Sequence, residues 1–256
     1  MADTKDETTV DNTELNEQET AEDTIEETEE RVIDPNLTGI QLFFEKNKKA
    51  ITYVGGGLVL LIAAVVYWNF IYIPEKEKEA SNEAMWAQKF FDIDSFKVAL
   101  NGGVNVYTAD GQKMVMGFEQ ISDEYSMTKI GNLANYYSGI CYLRTGKYEE
   151  AIAKLQNYSL NDEIIAPMAY GAIGDANMEL NKIDEAIKYY LKAADKNSNT
   201  FTTPYFLKKA SFAYEQKASF QEAIEIQQRL DKEYGKTEIG KNASREIARL
   251  TALAGL

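Results

Sequence analysis

Gly139-Ile-Cys-Tyr142-Leu-Arg-Thr-Gly146-Lys-Tyr148-Glu-Glu-Ala151-Ile-Ala-Lys-Leu155 is the stretch from which the fold can be read. Gly139 and Tyr142 share one side of a helix, Gly146 ends it, and Tyr148 opens a second helix with Ala151 and Leu155 facing back. The pattern returns as Gly174, Asn177, Asn181, Ile183, Ala186 and Tyr190, and again as Ser211, Tyr214, Ala218, Phe220, Ala223 and Gln227. Each column recurs after 35 and then 37 residues. A fixed period of this length marks a stacked array of helix pairs.

The residue types have a physical reason. A small residue on the first helix (Gly139, Gly174, Ser211) lies opposite an alanine on the second (Ala151, Ala186, Ala223), which lets the pair approach closely. Glu149-Glu150, Asp184-Glu185 and Gln221-Glu222 set acid or amide at the positive end of each second helix. One pair cannot bury its own apolar face, so neighbours must stack into a superhelix. The three motifs, over residues 132–236, resemble the tetratricopeptide-repeat (TPR) family, whose period is about 34 residues. The expected fold is all-α, a TPR α-solenoid of antiparallel helix pairs. Residues 80–128 read as a degenerate helical pair split by a loop around Asn101-Gly-Gly103 and Asp110-Gly111, and Ile239, Ala243, Ile247 and Leu250 as the stripe of a capping helix.

Upstream the chemistry changes. No charged residue falls between Lys49 and Glu75, and Ile51–Ile73 is a run of 23 residues. As a helix it would extend about 35 Å, enough for a hydrocarbon core of about 30 Å with some tilt. Tyr53 at one end and Tyr67, Trp68 and Tyr72 at the other suit the interfaces. The run begins some fifty residues in and lacks a small-residue cleavage pattern, so it is expected to stay as an anchor rather than be removed as a signal peptide. Gly55, Gly56 and Gly57 either are tolerated there or admit a close helix neighbour; the spaced-glycine dimerisation motif is absent. Thr38 and Gln41 form a possible capping box for a short amphipathic helix carrying Ile40, Phe43 and Phe44. Lys46, Lys48 and Lys49 favour a cytoplasmic location for that end, though Lys76, Lys78 and Lys89 follow the span closely.

Charge is concentrated at one end. Residues 1–37 hold 14 Asp and Glu against Lys5 and Arg31, so they carry −12 of the net −14. So little apolar surface predicts disorder, either as a plain solvating tail or as an acidic docking strip. Without a basic stripe the chain offers nothing to a phosphate backbone, so nucleic acid is not expected as a partner. Histidine is absent and Cys141 is the single cysteine, which argues against a catalytic or metal centre. No cofactor, metal or small-molecule substrate is expected, and the chain does not read as an enzyme.

The order of segments resembles the YfgM family: a Phe43-Phe44-Glu45 segment, Asn47-Lys-Lys-Ala50, a span ending in Tyr67-Trp-Asn69, then repeats. The resemblance implies a bacterial inner-membrane protein, N-terminus cytoplasmic and TPR domain periplasmic. It also implies a place beside the SecYEG translocon, with translocon subunits, periplasmic chaperones or secretory polypeptides as partners. The long acidic tail and the insert at 101–113 depart from that pattern. The expected boundaries are 1–37 (disordered acidic tail), 38–49 (juxtamembrane helix), 50–73 (transmembrane helix), 74–131 (juxtamembrane helix and degenerate repeat), 132–236 (three repeats) and 237–256 (capping helix).

Repeats of this kind bind along the surface lined by the first helix of each pair. Counting from the repeat starts places there Leu133, Tyr136, Tyr137, Ile140 and Arg144, then Met168, Asp175 and Glu179, then Tyr205, Lys208, Lys209 and Phe212. Tyrosines offer large contact area at small entropic cost, which suits extended polypeptide, unless they pack against neighbouring helices instead. A carboxylate clamp of the heat-shock co-chaperone type is not expected, since Tyr136 and Ile140 stand where its Lys and Asn would be. The rival to a polypeptide-holding scaffold is a structural adaptor of envelope assembly or cell division with one folded partner.

Overall fold

A computed structural model describes residues 38–109 and 111–255. The acidic tail 1–37 and Asp110 of the expected loop, each named above, lie outside the described residues. In chain order the elements are α1 (Gly39–Lys46), α2 (Lys48–Tyr67), a π-helical turn (Trp68–Tyr72), α3 (Ile73–Asp92), α4 (Phe96–Asn101), β1 (Gly102–Thr108), β2 (Gly111–Met116) and α5 (Phe118–Glu124). Then come the pairs α6 (Lys129–Arg144) with α7 (Tyr148–Gln156), α8 (Ile165–Glu179) with α9 (Ile183–Asp195), and α10 (Thr202–Gln216) with α11 (Phe220–Tyr234). A 3-10 turn (Gly240–Asn242) and α12 (Ala243–Ala254) follow. The chain divides into two compact units, one ending at Ala63 and one starting at Ala64.

In the first unit Gln41 caps α1: its Oε1 accepts from the Thr38 backbone N–H at 2.8 Å and from the Thr38 hydroxyl at 3.0 Å. Ile40, Phe43 and Phe44 of α1 are exposed. Among the described residues one helical stretch, Lys48–Asp92, is long and apolar enough by length and composition to cross a membrane.

The second unit takes in the last residues of α2 and then the π-helical turn. Pro74 lacks an N–H and its ring would press on the carbonyl one turn back; the wider turn, in which the Ile73 N–H bonds to the Trp68 carbonyl, relieves that conflict. Trp68 and Tyr72 stack on it with centroids 4.7 Å apart. Helix α3 then buries Ala80 and Ala87 against Leu100, Phe118, Ile121 and Ala134. Its Glu77 carboxylate accepts the backbone N–H groups of Lys129 (2.7 Å) and Ile130 (3.0 Å), satisfying orphan donors at the start of α6 and tying α3 to the first pair.

Between α4 and α5 the expected loop is instead an antiparallel hairpin pairing Asn105 with Met114 and Tyr107 with Gln112. The glycines read as loop punctuation, but Val104, Val106 and Thr108 alternate between them with strand period, and Val115 on the facing strand is buried. Lys113 anchors the hairpin to α3 through Glu83 at 2.7 Å.

The three helix pairs share one turn. Lys147 N–H bonds to the Tyr142 carbonyl (2.9 Å), Lys182 N–H to Asn177 (2.8 Å) and Ser219 N–H to Tyr214 (2.9 Å), the six-residue closure of a Schellman motif. The residue before each donor is left-handed: Gly146 (φ 78°), Asn181 (φ 56°) and Ala218 (φ 59°). Beyond the turn the small-residue column meets the second helix. A Cβ on Gly139 would fall 2.5 Å from Leu155 Cγ and 3.2 Å from the Ala151 carbonyl, and one on Gly174 would fall 2.5 Å from the Tyr190 ring. In the third pair hydrogen bonds replace that nesting: Ser211 Oγ donates to the Ala223 carbonyl (3.2 Å) and accepts from Gln227 Nε2 (3.0 Å).

The second pair, the third pair and α12 are joined in turn by ion pairs spaced by about one repeat. Lys209 meets Asp175, Lys217 meets Asp184, Arg229 meets Asp195 and Arg249 meets Glu215, all between 2.6 and 2.9 Å. The Arg249 guanidinium grips both oxygens of Glu215, at 2.7 Å each, and holds its carboxyl below the usual range. At the far end Ala243 and Leu250 are buried, with Ile247 packed on Ala223 and Ile224 and Ile239 on the cluster around Leu230.

Ala218 alone of the three turn residues carries a Cβ in a left-handed conformation without a side chain that can hydrogen-bond locally, a cost of about 1–2 kcal/mol. Ala218→Gly is therefore expected to raise the melting temperature, and Gly146→Ala to lower it, each by about 1 kcal/mol in stability. Thermal unfolding followed by circular dichroism checks both signs.

A candidate protein-binding concavity

One open concavity of about 1080 Å³ runs along the first helices of all three pairs. Tyr136, Ile140 and Arg144 from α6, Met168, Asp175 and Glu179 from α8, and Tyr205, Lys209 and Phe212 from α10 line it. Helical spacing of three or four residues aligns each set on one side of its helix.

Three residues from the expected set do not line it. The first is Tyr137: its ring stacks on the buried Phe118 (4.8 Å) and meets Phe91 edge-on (5.1 Å), so it is half-buried against the core. Tyr136 and Tyr137 are adjacent and must project about 100° apart on a helix, which places one of them off the groove. Leu133 is half-buried outside the concavity, and Lys208 is exposed outside it. The structure adds residues that counting on first helices could not supply, among them Phe91 from α3, Tyr148 from α7 and Tyr190 from α9.

The floor is an organised polar chain. Tyr190 lies in the space left by Gly174, and its hydroxyl donates to Asp175 Oδ1 at 2.7 Å. Lys209 Nζ donates to the same carboxylate at 2.6 and 2.8 Å and sits 5.2 Å from the centre of the Tyr205 ring. Three consecutive helices, α8, α9 and α10, are thereby tied through one carboxylate. Burial, reinforced by the Asp175 charge and hydrogen bond, pushes the Tyr190 hydroxyl far above its ordinary range. Asp175 and Lys209 therefore meet a ligand as a neutralised pair rather than as two free charges.

Free binding capacity lies elsewhere. Tyr205 and Phe212 are 41% and 56% exposed, about two turns of helix apart on the same wall. Arg144 is exposed and makes no hydrogen bond or ion pair among the described residues, and Glu179 takes only a long hydrogen bond from Tyr148, at 3.4 Å. The concavity thus presents aromatic area, thioether surface from Met168 and Met178, and an unneutralised guanidinium. Cys141 lies on α6 but is fully buried, and burial pushes its thiol up to about 12, which removes the thiolate needed for reaction. Among the described residues no group of three or more His, Cys, Asp or Glu could hold a metal ion.

Two outcomes are expected. Beneath the groove a Cβ on Gly171 would fall 1.9 Å from the buried Phe206 ring, so Gly171→Ala should cost about 1–3 kcal/mol by overpacking, read as a lowered melting temperature. Burial also holds the Tyr136 hydroxyl protonated up to about 12, against an ordinary 10.0. Since its folded value is the higher, this stabilisation is complete below pH 10 and is lost as pH rises from 10 towards 12, where the unfolded chain ionises first. Ultraviolet titration at pH 11 should show less tyrosinate in the folded protein than in the denatured chain.

No family model matches the sequence, and no curated protein matches it. Among solved structures the chain is similar to a protein described as a kinesin light chain of Podosopora anserina with nearly identical TPR-like repeats, at 12% identity and a TM-score of 0.49, covering 70% of this chain and 88% of that one. The chain is a helical-repeat protein of TPR-like pairs, and that assignment rests on its own pairing, turns and period.

Proposed function

We propose that this chain is a membrane-anchored scaffold whose repeat groove holds extended or partly unfolded polypeptide, on the periplasmic side of a bacterial inner membrane and close to the Sec translocon. The observation that carries the binding role is the continuity of the concavity. Three successive pairs contribute to one surface on which Tyr205 and Phe212 stay 41% and 56% exposed and Arg144 has no hydrogen-bond or ion-pair partner among the described residues. Aromatic rings on rigid helices give contact with little loss of rotamer freedom, and they tolerate varied sequence. Arg144 adds a site for a carboxylate of the bound chain.

The anchor is supported by the charge-free run and by the exposure of Val54, Leu60, Ile62 and their neighbours, which would otherwise leave a large apolar surface in water. Lys46, Lys48 and Lys49 beside it support a cytoplasmic N-terminus. Placement beside the translocon, with translocon subunits, chaperones or secretory chains as partners, rests on the resemblance of the Phe43–Asn69 segment to the YfgM family. A second reading has one feature in its favour. The Tyr190–Asp175–Lys209 chain gives the groove a fixed floor, as an adaptor for a single folded partner in envelope assembly or cell division would have.

Photoreactive side chains at Tyr205 and Phe212 separate these readings in cells. Adducts with many nascent chains, weakened by Arg144→Glu, are expected for the holding role. One stoichiometric adduct would establish the adaptor instead. Adducts no more abundant than at exposed Lys236 would remove the groove from consideration.

A further inference from the structure

A smaller cleft, of about 160 Å³, lies on the other side of the array from the groove. Leu160 after α7, Tyr170 on α8, and Tyr189, Lys192 and Lys196 on or just after α9 line it. Tyr170 follows the groove residue Met168 by two positions, about 200° of helix, so α8 separates the two spaces. The walls of the cleft donate. Lys192 Nζ is held over the Tyr170 ring, 4.2 Å from its centre, and lies 6.0 Å from the centre of Tyr189. The Tyr189 hydroxyl accepts from Gln156 Nε2 at 3.1 Å, which leaves its own proton free to donate. Among the described residues Lys192 and Lys196 form no ion pair, and no Asp or Glu lines the cleft. Asp162, bonded to the lining residue Tyr158, is already taken up by that hydroxyl and by the backbone N–H groups of Ile164 and Ile165. Two positive charges therefore border one small space without a counter-charge.

The next repeat supplies what is missing here. Arg229 on α11 stands 37 residues after Lys192, the step by which Ala223 follows Ala186. It is held between Asp195 of the preceding second helix (2.9 Å) and Glu233 of its own (3.1 Å). The repeat steps of 35 and 37 residues carry Asp195 back to Leu160 and Glu233 back to Lys196. Neither acid that neutralises the cation of the third pair has a counterpart in the second, and a further cation replaces one of them.

We propose that this cleft binds a carboxylate side chain presented by an acidic segment of a second protein, in the place that Asp195 takes beside Arg229. At about 160 Å³ it falls below the about 300–1,000 Å³ of small-molecule sites and suits a single side chain. Leu155, Leu160 and Ala169 give apolar wall to the methylenes of that side chain, and the two ammonium groups and the Tyr189 hydroxyl give donors to its oxygens. The chain carries a net charge of −14, so an acidic segment gains no attraction from the protein as a whole and is held by this local charge. The site is separate from the groove, and the inference does not rest on the function proposed for it.

Fluorescein-labelled hexaglutamate titrated with the full chain in detergent, and followed by fluorescence anisotropy, tests the site, with hexaglutamine as control. Hexaglutamate is expected to bind and hexaglutamine not to. Lys192→Gln should weaken binding about tenfold, as loss of one charge-assisted hydrogen bond does. Arg144→Gln in the groove and Lys236→Gln on the exposed surface should leave it unchanged. Leu160→Asp returns the internal carboxylate and should abolish binding without lowering the melting temperature. Equal weakening by Lys192→Gln and Lys236→Gln would reveal diffuse charge attraction and overturn the site, and loss with Arg144→Gln would place the peptide in the groove and overturn it too. Undiminished binding by a folded Leu160→Asp chain, or none by the unaltered chain, has the same consequence. Should Leu160→Asp fail to fold, Lys192→Gln, at an exposed position, decides alone.

Discussion

The repeat region depends on how closely two helices can lie where the first of them carries little or no side chain. At Gly139 the space a Cβ would take is filled by Leu155, and at Gly174 by the ring of Tyr190. Such contacts join a pair from within, while the left-handed turn at Gly146, Asn181 and Ala218 fixes how the second helix leaves the first. Pairs of constant geometry can then stack, and the ion pairs from Lys209, Lys217, Arg229 and Arg249 to acids about one repeat earlier show the same step taken repeatedly. Exposed pairs of this kind contribute little stability singly, and their value here is in fixing how neighbouring pairs sit.

The groove follows from the same constraint. Because Tyr190 nests over Gly174, its hydroxyl arrives beside Asp175 and completes a chain to Lys209. A packing rule on one side of α8 therefore sets the electrostatics of the other side. Two charges that the sequence offers as ligand contacts are already committed to each other, while Arg144 one repeat earlier is left free. The recognition chemistry that remains is aromatic and thioether surface with one guanidinium, which suits a polypeptide better than a small polar substrate.

The N-terminal part of the second unit solves a different problem, the passage from an apolar run to a soluble array. The π-helical turn absorbs Pro74, the alanines of α3 bury against α4 to α6, and Glu77 closes the start of α6. The hairpin, which departs from the helical scheme, is held to α3 at Glu83 rather than left as a loose insert.

By itself the sequence determined the helix pairs and the apolar run, because both are periodic or compositional signals that survive without knowledge of any neighbour. The small-residue column, the turn positions and the charge-free stretch are legible for that reason. Tyr136 and Tyr137 mark the limit: a count along the chain admits both to the groove, and only the stacking of Tyr137 on the buried Phe118 decides that it packs against the core. The hairpin was hidden behind its own glycines, since punctuation is read more easily than the short alternation it encloses. Tertiary structure alone decided that Asp175 and Lys209 neutralise each other, because their contact spans 34 residues of chain and depends on a tyrosine from a third helix. Distances of that kind arise from the superposition of repeats, and no local pattern in the sequence encodes them.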